Sequence, residues 1–132
     1  MRFSRSFVAI SIVLCVLLSV LSCKKESRED AAAQMALTCY QHLIAEEYDA
    51  YLQAMVDYEH MPASYREELK ALLAQYVRKE MTERGGFSNV TVNSDTIIGA
   101  RANVFLQVKF KDGSTEEISV PMIYVGNAWK LQ

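Results

Sequence analysis

The chain has 132 residues with 14 basic and 16 acidic side chains, a formal net charge of −2, and this length holds one domain. Arg2 and Arg5 lie in the first 22 residues, so the remaining 110 carry 12 positive and 16 negative charges, a balance of −4. Nucleic acid is thereby excluded as a partner, because that binding rests on clustered Lys and Arg neutralising phosphates.

The opening residues have the three parts of a secretory signal: basic Arg2 and Arg5, the apolar run Phe7 to Leu21, and small Ser22 before Cys23. The run stops short of the about 20 apolar residues that a membrane-crossing helix needs. Val20-Leu21-Ser22-Cys23 resembles the lipobox of bacterial lipoproteins. That resemblance implies cleavage after residue 22, lipid chains on Cys23, and a place in the bacterial cell envelope, on the outer membrane and facing either the periplasm or the surface. Two or three acyl chains hold such an anchor durably where one does not. Cys15 would leave with the leader and Cys23 would be acylated, so Cys39 remains as a lone thiol and no internal disulfide is expected.

Residues 23–30 read as the lipidated cysteine and a charged tether, Lys24-Lys25-Glu26-Ser27-Arg28-Glu29-Asp30. The folded domain is expected over 31–132. From Ala31 to about Asp57, Met35, Cys39/Tyr40, Leu43/Ile44, Tyr48, Tyr51/Leu52 and Met55/Val56 recur at helical spacing. Ala45-Glu46-Glu47-Tyr48-Asp49 interrupts the stripe, which predicts two helices with Asp49 as a cap for the second. Ser64-Tyr65-Arg66-Glu67 has the spacing of a capping box and opens a further helix with apolar Tyr65, Leu69, Leu72/Leu73, Tyr76/Val77 and Met81, stopped at Gly85-Gly86.

Beyond Phe87 the period changes to two. Val90-Thr91-Val92 opens a strand; Ala102, Val104, Leu106, Val108 and Phe110 alternate with polar residues in a second. Asp112-Gly113 turns the chain into a third, faced by Ile118, Val120, Met122 and Tyr124, with Pro121 expected at an edge or bulge. Gly126-Asn127 turns it again into Trp129-Lys130-Leu131. Helices followed by an antiparallel meander predict an α+β domain whose sheet wraps the helices.

The bent first helix with Glu46-Glu47-Tyr48-Asp49-Ala50 and the closing Gly126-Asn127-Ala128-Trp129-Lys130-Leu131 resemble the NTF2-like superfamily. The resemblance implies a cone of helices packed on a curved antiparallel sheet, and is nearest to small exported lipoprotein members without assigned activity. That superfamily includes enzymes and binding modules alike, so fold transfers better than function.

The cone-lining positions offer a phenol at Tyr124 and no group that titrates near neutrality, while Glu116 and Glu117 lie beside a turn, where solvated charge is expected. No catalytic residue, metal site or cofactor is therefore expected: His42 and His60 lack convergent ligands. Of the seven tyrosines, Tyr40, Tyr48 and Tyr124 are candidates to rim a pocket for a small apolar or sugar-like ligand. Phe105 and Ile123 on the other sheet face are candidates for a homodimer contact. A non-catalytic, membrane-tethered binding or assembly domain, its protein or small-molecule partner unnamed, is the reading that follows. Its alternatives are a small isomerase or dehydratase using Tyr124 with His42 or Tyr40, and an immunity or inhibitor protein docking through the outer face.

Overall fold

The computed structural model describes residues 28–132; the leader and Cys23 lie outside them. Helices come first and strands after, as the change of period requires. Helix α1 (Arg28–Ile44) and the short α2 (Tyr48–Gln53) are parted at the expected bend. Glu46 turns the chain there with φ 60°, and Glu47 N–H donates to the His42 carbonyl across 2.8 Å. Two boundaries differ from expectation. α1 begins at Arg28, so the last three tether residues are helical. The N-cap of α2 is Glu47, which places Asp49 inside the first turn rather than at the cap.

Helix α3 (Ala63–Arg84) follows a 3-10 turn at Tyr58–His60. The capping box at Ser64 and Glu67 does not form: the N-cap is Pro62, without a side-chain bond, because the helix starts one residue before Ser64. Arg66 fastens this end instead. Its Nη2 donates to the Tyr58 carbonyl across 2.7 Å and its guanidinium lies 4.0 Å from the centre of the Tyr58 ring. At the other end Gly85 takes φ 79°, a left-handed stop that costs glycine nothing sterically. The exposed carbonyls there are met by the β2–β3 turn: Lys111 N–H donates to Gly86 and Asp112 N–H to Arg84, at 2.9 and 3.1 Å.

Strands β1 (Phe87–Ile98), β2 (Arg101–Phe110), β3 (Thr115–Val125) and β4 (Ala128–Leu131) form one antiparallel sheet in chain order. Ala102 faces Met122, Val104 faces Val120 and Leu106 faces Ile118, so the period-two apolar residues of both central strands share the helix side. β1 is longer than Val90-Thr91-Val92 suggests and has register shifts at Ser88 and Asn93. Each leaves one residue unopposed and bends the strand. Gly99, at φ 61°, makes the β1–β2 turn.

The core is built where these faces meet. Val104, Leu106, Val108, Phe110 and Met122 from the sheet are fully buried against Ala32, Ala36, Cys39 and Leu43, a stripe on α1 at spacings of three and four. Each large side chain so buried stabilises by about 1.5–3 kcal/mol. Trp129 and Leu131 close the far side, where Leu131 N–H donates to Ala54 and its carbonyl accepts from Val56 N–H, both at 2.8 Å. No helix among the described residues is long and apolar enough to cross a membrane.

Candidate functional site

The groups able to do chemistry gather on the helix side of the sheet. Glu80, on the inward face of α3, is buried, with 8% of its side chain exposed, and its Oε2 stands 3.5 Å from Arg84 Nε. One helical turn brings these two together. Arg84 then reaches across to β3, donating from Nη1 to Glu116 Oε2 at 3.1 Å, and its guanidinium lies 4.4 Å from the centre of the Phe110 ring. Glu116 shares its strand face with Ile118 and Val120, so it points to the helices. Glu116 is exposed, as a charge beside the turn is expected to be, and is in addition ion-paired to Arg84.

Beside this chain of charges stand three phenols from three helices. Tyr40 packs edge-on against Tyr51, ring centres 6.4 Å apart, and Tyr76 packs on Phe87 at 5.9 Å. Burial holds the Tyr40 and Tyr51 hydroxyls above the usual phenol range. Tyr76 is raised by burial first and then by the neighbouring Glu80 and Glu116 carboxylates. All three stay protonated hydrogen-bond donors at neutral pH. A cavity of about 150 Å³ lies next to Tyr40 and Tyr51, bounded also by Met55, Val120 and Leu131. Sites for small molecules commonly measure about 300–1,000 Å³, so this one admits a side chain rather than a substrate.

The three tyrosines expected around one pocket are not brought together. Tyr48 lines a separate cleft with Glu46, Asp49 and Lys70, in which Lys70 bonds to Asp49 and Glu67 at 3.2 and 3.0 Å. Tyr124 packs against Trp129 with ring centres 5.2 Å apart and the planes tilted by 56°. It stands three residues beyond Pro121, the nearest β3 residue of the Tyr40 cavity, about 10 Å along the strand. Period-two reasoning gives Tyr124 its face and carries no information on its distance from Tyr40. His42, proposed as its catalytic partner, contacts Glu47 through Nδ1 at 3.3 Å. Cys39 is buried in the core, and burial pushes its thiol up to about 11. Among the described residues no three His, Cys, Asp or Glu converge as metal ligands would.

On the opposite face Phe105 and Ile123 are half-buried and lie diagonally, Phe105 across from Ser94 and Ser119 and Ile123 across from Arg101 and Lys130. Around them the strands present Thr96, Asn103, Thr91 and Gln107. Asn93, the bulged residue of β1, donates from Nδ2 over β2 to Glu117. Sequence reasoning missed Glu80 and Arg84 as site residues. Glu80 sits within one turn of Tyr76 and Val77, and that spacing was the available signal.

A family model described as a domain of unknown function (DUF4878) matches residues 22–132. No curated protein sequence matches the chain. Among solved structures, the chain is similar to a Campylobacter jejuni protein provisionally named an NTF2-like transpeptidase. The TM-score is 0.60 and the identity 14%, over 74% of this chain and 94% of the other. At that identity the likeness is one of fold: helices on an open antiparallel sheet of the NTF2-like kind.

Proposed function

The chain belongs to the DUF4878 family, and from that premise we propose a lipid-anchored protein of the bacterial envelope whose NTF2-like domain binds or assembles rather than catalyses. The observation that carries this reading is the filled interior. Val104, Leu106, Val108, Phe110 and Met122 occupy with their own side chains the space an enzyme of this shape would give to substrate. The ionisable groups beside it, Glu80, Arg84 and Glu116, are engaged with one another. Proton transfer needs a base within about 3 Å of the reacting atom or one bridging water, and Tyr124 is not among the residues that line the cavity beside Tyr40. The anchor rests on Val20-Leu21-Ser22-Cys23, and Phe105 with Ile123 is proposed as the homodimer face.

Metabolic labelling with an alkyne fatty acid tests the anchor. The full chain becomes labelled, Cys23→Ser does not, and the mass of the mature protein lacks residues 1–22; an unlabelled chain that retains its leader overturns the assignment. Binding is tested by photo-crosslinking in intact cells from positions around Tyr40 and Phe105, where one partner protein is recovered repeatedly. Turnover of a small substrate by membranes bearing the full chain, abolished by Tyr40→Phe, would instead establish an enzyme.

A further inference from the structure

The sheet has edges of unequal condition. β3 runs from Thr115 to Val125, but β4 pairs only with Met122 to Val125. Among the described residues no strand lies on the β4 side of the rest of β3. Gln132 N–H donates to the Pro121 carbonyl across 3.1 Å, so β4 is entering that lane where its pairing ends. The N–H and C=O of one antiparallel residue point the same way, and the direction alternates along the strand. Pro121 therefore fixes the pattern: the main-chain groups of Ser119 and Glu117 face the open lane, and those of Ile118 and Val120 face β2. The missing N–H of Pro121 falls on the open side too, which is why proline fits there.

The other edges are managed. β1 carries two bulges, and its Asp95, opposite Val104, points to the helix side, devices that discourage another strand from adding. β4 is covered by the bonds of Leu131 to Ala54 and Val56. On β3 the acids that would repel a neighbour are turned aside, Glu116 to Arg84 and Glu117 to Asn93. The cavity of about 150 Å³ lies at this edge. Its walls include Tyr40, Tyr51, Met55 and inward Val120, but also outward Ser119 and Pro121. A space lined from both faces of a sheet lies on the rim between them.

We propose that this edge accepts an extended peptide segment of a protein partner as an added strand, antiparallel to β3 and in line with β4, with one apolar side chain seated between Tyr40, Tyr51 and Met55. Main-chain bonds to Ser119 and Glu117 hold it, and the cavity selects the side chain. The inference rests on the reading of this domain as a binding module and names its kind of partner.

The probe is a displayed library of linear heptapeptides selected on the detergent-solubilised full chain, the best binder then being remade with single N-methyl groups along its backbone. Binding falls at least tenfold at alternate positions and is kept at those between. Ser119→Pro removes an N–H from the open edge and none from the β2 ladder, so it lowers affinity at least tenfold with thermal unfolding unchanged, and Tyr51→Trp changes the preferred side chain. N-methyl losses without a period of two, a binder indifferent to Ser119→Pro, or no binder at all overturns the edge. A second copy of the chain in the lane would appear as a dimer dispersed by Ser119→Pro, and overturns the peptide. A crosslinked partner retained by Ser119→Pro overturns the edge while leaving the binding reading intact; that reading fails separately, on substrate turnover.

Discussion

Arg84 Nη1 donates to Glu116 Oε2 across 3.1 Å, which fastens the last turn of α3 to the start of β3. The same guanidinium is the countercharge of buried Glu80, so its two partners respond differently to its loss. Arg84→Met leaves a carboxylate buried without a cation and destabilises by about 3 kcal/mol, the lower end for a broken buried pair because Arg84 is itself a third exposed. Glu116→Gln removes only the outer, half-exposed partner and costs less than about 1 kcal/mol. Urea unfolding of the two variants checks the order; equal losses would show that Glu80 does not depend on Arg84.

Cys39 links stability to alkaline pH. Its folded thiol is raised to about 11 against 9.0 for the free group, so between those values the unfolded chain has lost a proton that the folded chain keeps. That stabilising contribution is complete below pH 9 and disappears as pH rises through 11. Urea midpoints therefore fall across this window, and Cys39→Ala flattens part of the fall. A thiol reagent at pH 8 labels Cys39 only in denaturant.

Neighbouring residues on opposite sheet faces give a sharp contrast. Leu106 is fully buried, and Leu106→Ala costs about 2–5 kcal/mol. Phe105 stands between two serines on the outer face, and Phe105→Ala costs about 1 kcal/mol or less. If the face seats a second copy, Phe105→Ser also lowers the sedimentation coefficient at unchanged stability.

The β3–β4 turn places Gly126 and Asn127 at φ 58° and 63°. Two successive left-handed residues make the turn that suits a twisted hairpin. Asn127→Gly keeps the melting temperature within a few degrees, whereas Asn127→Ala lowers stability by about 1 kcal/mol, measured by thermal unfolding.

Much of this fold was legible because its signals are local. Ala102, Val104, Leu106, Val108 and Phe110 alternate without error, and all five are buried; Gly85 and Asn127 sit at positive φ where turn chemistry put them. The bulges at Ser88 and Asn93 escaped, since an unopposed residue is defined by the partner strand and not by its own sequence. The site was harder still. Glu80 reads as one more surface charge on a helix rich in them, and only the packing of α3 against α1, α2 and β1 buries it. Tyr40, Tyr48 and Tyr124 could be assigned inward faces by period, but their separation along the strands depends on packing that no window of sequence contains.

The bonds from Leu131 to Ala54 and Val56 have a kinetic meaning. They join backbone groups on either side of α3 and the entire sheet, a closure of high contact order, while each hairpin of the meander closes over a few residues. Hairpins therefore form early and the Leu131 clasp forms late. The seat of α2 on the sheet is therefore completed only once β4 is in place.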